Sequence, residues 1–332
     1  MNIKPRKLES GDSIGVIAPS RSLKQIHQKW IDIAIRHFEA KNLNVIFSDH
    51  CREDWHGNGG TIEQRVSDMM DMFTDDRVKA ILAAVGGFNS NQLLQHLDYK
   101  KIQRNPKIFC GYSDITALHN AIHTKTGLVT FYGPHFCTFG DPFQFDYTVQ
   151  YFDEIMSGKK DISIEESPEY SADNWYENPT NPAPRNKKPN PGTQVIRPGE
   201  AEGELVGGNI STLTSLLGTE YLPSFKDKIL FLEEGDDSDC RSIDRYLTQL
   251  QLSGAFNELK GMMVGRFHPN SGFNDNQKPE ELLNRVTKDL KGPVIYGADF
   301  GHTDPIATIP IGVPCLVDAN RKKIQYLESG VL

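Results

Sequence analysis

The sequence contains no long apolar run. Its first twenty residues, MNIKPRKLESGDSIGVIAPS, begin with basic side chains and reach an acid at Asp12 before any uninterrupted apolar segment appears. A secretory signal needs such a segment, and a membrane-spanning helix needs about 20 consecutive apolar residues. Neither pattern occurs, so we expect a cytoplasmic protein that has no membrane partner.

Cysteine is scarce, and no two cysteines are closely spaced in the sequence. Five cysteines are scattered along the chain without a C-x-x-C motif, at Cys51, Cys110, Cys137, Cys240 and Cys315. An odd number of scattered cysteines is typical of reduced, mostly buried thiols rather than of a disulfide framework.

Positive charge is also in deficit. The formal net charge is −8 and the sequence pI is about 5.7. Proteins that bind nucleic acids or anionic membranes through electrostatic attraction present an excess of Lys and Arg. We therefore expect no nucleic-acid partner.

The first part of the chain alternates short apolar runs with segments of helical periodicity. Strands are predicted at Ser13–Ala18, Leu43–Phe47, Val78–Val85 and Lys107–Cys110, and helices at Lys24–Ala40, Thr61–Phe73, Asn91–Leu97 and Asp114–His123. This alternation predicts an α/β domain with a mostly parallel sheet and helices on both faces. Ligands of such sheets bind at the carboxyl ends of the strands, where Gly86-Gly87 and Gly111–Asp114 are expected.

The chain of 332 residues is too long for one ordinary core, so we predict two domains, 1–164 and 199–332, with a connecting segment 165–198. The connecting segment is rich in Pro and Asn and predicts a loop; its Trp175-Tyr176 pair either serves a function or pins the loop. In the second domain we expect a glycine turn, a helix from about Asn209, and a compact, barrel-like, β-rich fold. Its strands are predicted at Lys228–Leu232, Met262–Phe267 and Val294–Ala298, and its longer helices at Arg241–Leu252 and Glu280–Leu290.

A lone serine follows the strand in the stretch IFCGYSDITALHNAIH. Ser113 lies where the strand passes into a helix, a position in which an elbow exposes a hydroxyl and the helix N-terminus favours negative charge. The G-x-S-x-G motif is absent, however, and these residues alone favour a helix-capping serine. The backbone of Gly87 and the N–H of Asp114 would supply two oxyanion donors, unless Gly86-Gly87 is a plain turn.

Candidates for a base and an acid follow two other apolar strands. His302 lies in the polar loop DFGHTDP, and Glu233-Glu234 ends the apolar run of KILFLEEGDD. A carboxylate at a buried strand end needs a partner, and a histidine N–H is a suitable one. Neighbours on a strand point to opposite faces, so the pattern alone does not decide between the two glutamates. His119 and His123 have a metal-binding spacing but lack a third ligand.

Six blocks of the chain resemble, in order, the LD-carboxypeptidase family of serine peptidases: GDSIGVIAPS, AVGGFNSNQLLQHLDY, FCGYSDITALHNAI, GELVGGNISTLTSLLGT, ILFLEE followed by RSIDRYLTQL, and FGHTDPIATIPIGV. The resemblance implies a triad of Ser113, Glu233 and His302. It also implies a nucleophile-bearing α/β domain of the Rossmann or glutamine-amidotransferase type and a swivelling, barrel-like β-rich domain that bears the Glu and the His. The site would lie between them, without a metal or an organic cofactor, and family members are commonly homodimers.

The resemblance leaves two substrate classes open. The family includes muramoyl-tetrapeptide carboxypeptidases and microcin C self-immunity peptidases, and the Trp175 segment and the length look more like the immunity branch. That branch implies cleavage of an aminoacyl-nucleotide amide, with an aromatic side chain stacked on adenine; the alternative is a murein tetrapeptide. Gly86, Trp175, Asn209 and Arg241 are the predicted substrate-binding residues, although Arg241, like Arg245, could equally be a surface charge. A binding protein that sequesters such a ligand without cleaving it is the remaining alternative.

Overall fold

The computed structural model describes residues 2–176 and 180–332. Its N-terminal part contains, in chain order, β1 (Ser13–Ile17), α1 (Gln28–Glu39), β2 (Asn44–Phe47), α2 (Ile62–Thr74), β3 (Val78–Ala83), α3 (Tyr99–Arg104), β4 (Ile108–Gly111), α4 (Thr116–Thr126), β5 (Thr130–Tyr132) and α5 (Asp146–Met156). The later elements are β6 (Ile162–Ile164), β7 (Glu169–Tyr170), β8 (Lys188–Pro189), β9 (Gln194–Arg197), β10 (Glu200–Asn209), α6 (Ile210–Thr214), β11 (Lys228–Glu233), α7 (Cys240–Leu252), β12 (Gly261–Gly265), α8 (Pro279–Val286), β13 (Val294–Ala298), β14 (Ile309–Ile311), β15 (Pro314–Asp318) and β16 (Lys323–Tyr326). No helix of the described residues is long and apolar enough to cross a bilayer.

The first sheet has six strands in the order β14-β5-β4-β3-β1-β2. All of its neighbours run parallel except β14 and β5, which are antiparallel. Both faces of β3 are buried, because Ala80 and Leu82 pack in the core with α1 and α5, whereas Ile81 and Ala83 pack with α2, α3 and α4. A strand buried on both faces is typical of a parallel sheet covered by helices, and this confirms the predicted α/β architecture.

The second sheet has eight strands in the order β6-β16-β15-β10-β11-β12-β13-β9. Its centre, from β10 to β13, is parallel, and its outer strands pair antiparallel. On one face Leu230 and Leu232 pack against α7 and α8. On the other face Ile229 and Phe231 belong to the same apolar core as the first sheet. The two sheets therefore share a core, and β11 faces both halves of the molecule.

Two strands cross the predicted domain boundaries. The strand β14, from the second half of the chain, pairs with β5 and completes the first sheet. The strand β6, which precedes residue 165, pairs with β16 in the second sheet. Each half of the chain thus contributes one strand to the sheet of the other half.

The predicted glycine turn before Asn209 is instead the longest strand, β10. At Gly207 an added Cβ would lie 1.9 Å from the Phe231 carbonyl oxygen, and at Gly208 it would lie 2.5 Å from Thr116 Oγ1. These glycines therefore permit close approach of neighbouring chain segments rather than a turn.

Several other local predictions differ from the structure. Residues 90–96 form a 3₁₀ helix, and α3, α5 and β5 were not predicted. The connecting segment 165–198 contains β7, β8 and β9, while residues 177–179 of it lie outside the described residues. Thr61 and Gln64 form a capping box with reciprocal hydrogen bonds at the start of α2.

Candidate active site

Ser113 occupies a strained turn between β4 and α4. Its φ is +63°, in the left-handed region that side chains other than Gly, Asn and Asp rarely adopt. The N-cap of the short 3₁₀ turn Ser113–Ile115 is Tyr112, and the N-cap of α4 is Ile115, so Ser113 fills neither capping position. Gly86 leaves room for the elbow, because a Cβ added there would lie 3.0 Å from the Ser113 Cβ.

A hydrogen-bonded chain runs from this serine to a buried carboxylate. Ser113 Oγ lies 3.0 Å from His302 Nε2, and His302 Nδ1 lies 2.5 Å from Glu233 Oε2. His302 is in the turn that follows β13, and Glu233 is the last residue of β11. With the Nδ1–H donated to the carboxylate, Nε2 of a neutral imidazole is free to accept the serine proton.

Glu233 and Glu234 differ in their hydrogen-bond partners, although Asn209 Nδ2 donates to both. Glu233 continues the face of Ile229 and Phe231, which is turned towards the first sheet and Ser113. Glu234, the residue after β11, accepts hydrogen bonds from Asn209 Nδ2 (2.9 Å) and the Ser211 N–H (2.9 Å). The geometry thus joins Glu233, and not its neighbour, to the histidine.

Burial and charge act in opposite directions on the acid and the histidine. Burial alone raises the pKa of Glu233, but the His302 charge and hydrogen bond outweigh it and hold that pKa below its usual value. Burial likewise lowers the pKa of His302, while the Glu233 carboxylate raises it more, to about 9. Burial and the Glu233 charge both raise the pKa of Glu234. Mutual stabilisation therefore favours a Glu233 carboxylate beside a protonated His302.

Tyr132, which the sequence reasoning missed, joins the acid to the elbow. Its hydroxyl donates to Glu233 Oε1 at 2.5 Å and accepts the Ser113 N–H at 3.0 Å. Its side chain is fully buried. Asn209 Nδ2 also donates to Glu233 Oε1, at 3.2 Å. Both oxygens of the buried carboxylate are therefore hydrogen-bonded, as a buried charge requires.

The variant Tyr132→Phe is expected to lower the free energy of unfolding by about 1–3 kcal/mol, because it leaves the partly buried Ser113 N–H without its acceptor and removes a donor from a buried carboxylate. Urea denaturation measures this loss, and hydrolysis should fall with it because the elbow and Glu233 lose their shared partner. The matched control is Tyr326→Phe, which removes another buried hydroxyl, one that donates to the Thr308 carbonyl oxygen. A Tyr132→Phe variant that is as stable and as active as the wild-type protein would contradict the prediction.

The predicted oxyanion donors lie beside the serine. Gly87 and Asp114 border the same cavity as Ser113. An added Cβ on Gly87 would lie 2.1 Å from Ser20 Oγ, so only glycine fits there without a shift. The Asp114 carboxylate is tied back by the Ser90 N–H at 2.8 Å, and burial raises its pKa. The oxyanion role of the Gly87 and Asp114 N–H groups remains a prediction.

Ser113 lies between two cavities of different character. The first, of about 240 Å³, has aromatic walls formed by Phe88, Tyr112, Trp175 and Tyr176, and charged residues also line it: Arg21, Asp236, Asp237 and Asp304. The second, of about 200 Å³, has a polar lining: Asn91, Asn209, Ser211, Thr212, Ser215, Glu234 and Asp237. A substrate whose carbonyl reaches Ser113 can therefore extend an aromatic group to one side and a polar group to the other.

The predicted substrate-binding residues are placed differently from one another. Gly86 and Trp175 line the aromatic cavity, whereas Asn209 borders the polar one with its amide already bonded to Glu233 and Glu234. Arg241 is exposed on α7 and borders neither cavity. The aromatic cavity contains Arg21 instead.

Sequence reasoning also missed Phe88, whose only signal is its position directly after the glycine pair. Its side chain is 68% exposed and borders both cavities. The histidines with metal-binding spacing have separate partners: His119 Nε2 lies 2.8 Å from the Gly111 carbonyl oxygen and His123 Nδ1 lies 3.1 Å from that of Leu128. In the described part of the chain no group of three or more His, Cys, Asp or Glu is arranged to hold a metal.

Two family matches cover most of the chain. Residues 14–133 match the LD-carboxypeptidase N-terminal domain, and residues 202–317 match the LD-carboxypeptidase C-terminal domain. The first range contains Ser113, and the second contains Glu233 and His302.

Curated proteins are similar over nearly their whole length. The putative carboxypeptidase YocD of Bacillus subtilis is 43% identical, over 94% of this chain and 95% of the relative. The probable murein peptide carboxypeptidase of Bacillus subtilis is 34% identical, over 100% and 96%. The microcin C7 self-immunity protein MccF of Escherichia coli is 32% identical, over 97% and 95%.

Solved structures have the same fold. A MccF-like protein from Bacillus anthracis superposes with a TM-score of 0.92 at 41% identity, covering 98% of this chain and 99% of the other. The self-immunity protein MccF in complex with aspartyl sulfamoyl adenosine also gives a TM-score of 0.92, at 28% identity, covering 99% and 100%.

Proposed function

This chain belongs to the LD-carboxypeptidase family, and from that premise we propose that it is a serine hydrolase in which Ser113, His302 and Glu233 form the catalytic triad. The observation that carries the proposal is the continuous hydrogen-bonded chain from Ser113 Oγ through His302 to Glu233. A serine hydroxyl becomes nucleophilic when a base accepts its proton and an acid orients that base.

The first half of the reaction forms an acyl-enzyme. His302 Nε2 accepts the Ser113 proton while Oγ attacks the carbonyl carbon of the substrate amide. The oxyanion is stabilised by the N–H groups of Gly87 and Asp114. His302 then donates its proton to the leaving nitrogen, and the carbon–nitrogen bond breaks.

The second half repeats these roles with water. His302 accepts a proton from the incoming water, whose oxygen attacks the ester carbonyl, and then returns the proton to Ser113 as the acid product leaves. The Glu233 carboxylate stabilises the imidazolium that forms in each half.

We further propose an aminoacyl-nucleotide as the substrate, cleaved at the amide between its aminoacyl group and a phosphoramidate. The aromatic cavity supports this choice. The Trp175 ring meets Trp30 and Tyr176 edge to face, at interplanar angles of 71° and 87°, so neither of these two neighbours stacks parallel on it. A nucleobase stacked on such a ring gains about 1–3 kcal/mol.

The second candidate is a murein tetrapeptide, which the similarity to a probable murein peptide carboxypeptidase supports. Such a substrate would lose a terminal D-alanine, whose carboxylate requires a cation in the site. Arg241, the predicted cation, lies outside both cavities. Arg21 lines the aromatic cavity and is a cation available to either substrate. What favours the nucleotide is the aromatic lining around Trp175.

The deciding experiment incubates the wild-type protein separately with an aminoacyl adenosine phosphoramidate and with a murein tetrapeptide, and identifies the products by mass. We expect release of the amino acid from the nucleotide. Release of D-alanine alone would assign the peptide activity instead. Recovery of both compounds intact after long incubation would contradict hydrolysis and favour a protein that binds its ligand without cleaving it.

Replacement of Trp175 by alanine is expected to raise KM for the aminoacyl-nucleotide about 10- to 100-fold, with little change in kcat, because the lost stacking is worth ~1–3 kcal/mol. Steady-state kinetics measure both constants. Trp55→Ala is the control, since Trp55 is 41% exposed and borders neither cavity. An unchanged KM in Trp175→Ala would remove Trp175 from the nucleotide site.

A further inference from the structure

One buried arginine joins three distant parts of the chain beside the catalytic cleft. Arg185 Nη1 lies 2.6 Å from Asp141 Oδ2, its Nε lies 2.6 Å from Asp173 Oδ1, and its Nη2 lies 2.6 Å from Asp304 Oδ2. The Arg185 side chain is 2% exposed. A guanidinium offers donors in a fixed planar fork, so a single side chain can hold three carboxylates in set directions.

The three carboxylates belong to segments with different tasks. Asp173 precedes Trp175 by two residues, and Asp304 follows His302 by two residues. Asp141 directly follows the 3₁₀ helix Phe136–Gly140 of the N-terminal part. Arg185 therefore connects three parts of the molecule: the segment that carries Trp175 of the aromatic cavity, the loop that carries His302, and the body of the first domain.

Other hydrogen bonds place the aromatic segment around this guanidinium. Asp173 also accepts the Asn186 N–H at 2.7 Å and the Ser171 hydroxyl at 2.6 Å. The backbones of Ser171 and Asp304 exchange two hydrogen bonds, each 2.9 Å long. Asp173 thus holds the segment that carries Trp175 through hydrogen bonds within that segment, and Asp304 links the segment to the loop of His302.

We propose that Arg185 is a positioning residue for substrate binding: by holding Asp173 and Asp304 together, it fixes the segment of Trp175 against the loop of His302 before substrate arrives. The proposal rests on the proposed hydrolase function, because it assigns the aromatic wall to the substrate. His302 keeps its own bond to Glu233, so loss of the arginine disturbs the wall more than the base.

The test is Arg185→Lys, which retains the charge but cannot hold three carboxylates in the arginine geometry. We expect KM for the aminoacyl adenosine phosphoramidate to rise at least about 10-fold and kcat to change less than about 3-fold, as displacement of a binding wall affects binding first. Hydrogen exchange followed by mass spectrometry should show faster exchange in peptides covering residues 165–176 and 299–308. A KM and an exchange pattern equal to those of the wild type would overturn the proposal.

Two more variants keep the result interpretable. Asp173→Asn leaves the other two ion pairs of Arg185 in place, and should show the same KM effect in a folded protein if Arg185→Lys fails to fold. Lys187→Gln is the matched control, because this exposed cation lies two residues further along the same segment; it should leave KM and exchange unchanged. An equal rise in KM for Lys187→Gln would mean that loss of any positive charge in this segment weakens binding, and it would contradict the proposal.

Labelling of Ser113 by a fluorophosphonate separates the two proposals. The reagent needs an activated serine but no nucleotide-binding wall, so Arg185→Lys should be labelled at a rate close to that of the wild type. A wild-type protein that is neither labelled nor active would contradict the proposed hydrolase function. A labelled and active wild type whose Arg185→Lys and Asp173→Asn variants keep the wild-type KM would contradict the positioning role alone.

Discussion

Replacing Ser113 with alanine is expected to lower kcat by at least about 10⁴-fold, because the covalent route through an acyl-enzyme is lost and only binding and oxyanion stabilisation remain. The hydroxyl's observed partner is His302 Nε2, at 3.0 Å. Ser113 donates to the Tyr132 hydroxyl through its backbone N–H and not through its side chain, so the variant retains that bond. We expect the free energy of unfolding to change by no more than about 1 kcal/mol.

Single-turnover product formation, followed by mass, measures the loss of activity, and urea denaturation checks the fold. Ser67→Ala is the matched control, since Ser67 is exposed on α2 and its hydroxyl donates to the Asp71 carboxylate. A Ser113→Ala preparation that still cleaves the aminoacyl-nucleotide at the wild-type rate would remove Ser113 from the mechanism.

Local sequence patterns predicted the architecture of the first sheet but not its edge. Apolar periodicity is a local signal, and it located β1 to β4 and the helices α1, α2 and α4 to within a few residues. The strand β5 is three residues long, and its antiparallel neighbour β14 comes from the far end of the chain. No local pattern contains that pairing, because it depends on how the two halves of the molecule pack.

The same limit applies to the site. The position of Ser113 between a strand and a helix was visible in the sequence, and the family resemblance selected Glu233 and His302. Tyr132 was not visible, because its two hydrogen bonds reach residues 19 and 101 positions away. An aromatic residue in a short apolar run is ordinarily read as core, and only the tertiary structure shows its hydroxyl between the elbow and the acid.

Alternation along β11 left the choice of glutamate open, since it says that Glu233 and Glu234 face opposite ways but not which way each one faces. The packing of the second sheet supplies the missing information. Residues at positions 229 and 231 face the shared core, and those at 230 and 232 face α7 and α8. Glu233 continues the first set and so reaches His302.

We therefore expect Glu233→Gln to lower kcat about 10⁴-fold and Glu234→Gln to lower it less than about 10-fold, because Glu233 is the carboxylate hydrogen-bonded to the histidine and has the larger effect on its protonated form. The two variants are a matched pair, with the same chemical change at adjacent residues that are both almost fully buried. Activity that survives Glu233→Gln and is lost in Glu234→Gln would reverse the assignment.

The pH profile gives a second readout of this pair. Burial lowers the pKa of His302, but Glu233 raises it to about 9, and the base must be neutral to accept the serine proton. The neutral fraction falls about 10-fold for each pH unit below the pKa, so kcat/KM of the wild type should rise with pH until about 9. In Glu233→Gln burial remains and the carboxylate is gone, so the midpoint should move to lower pH while the plateau falls. A midpoint that stays in place would mean that Glu233 does not set the pKa of the base.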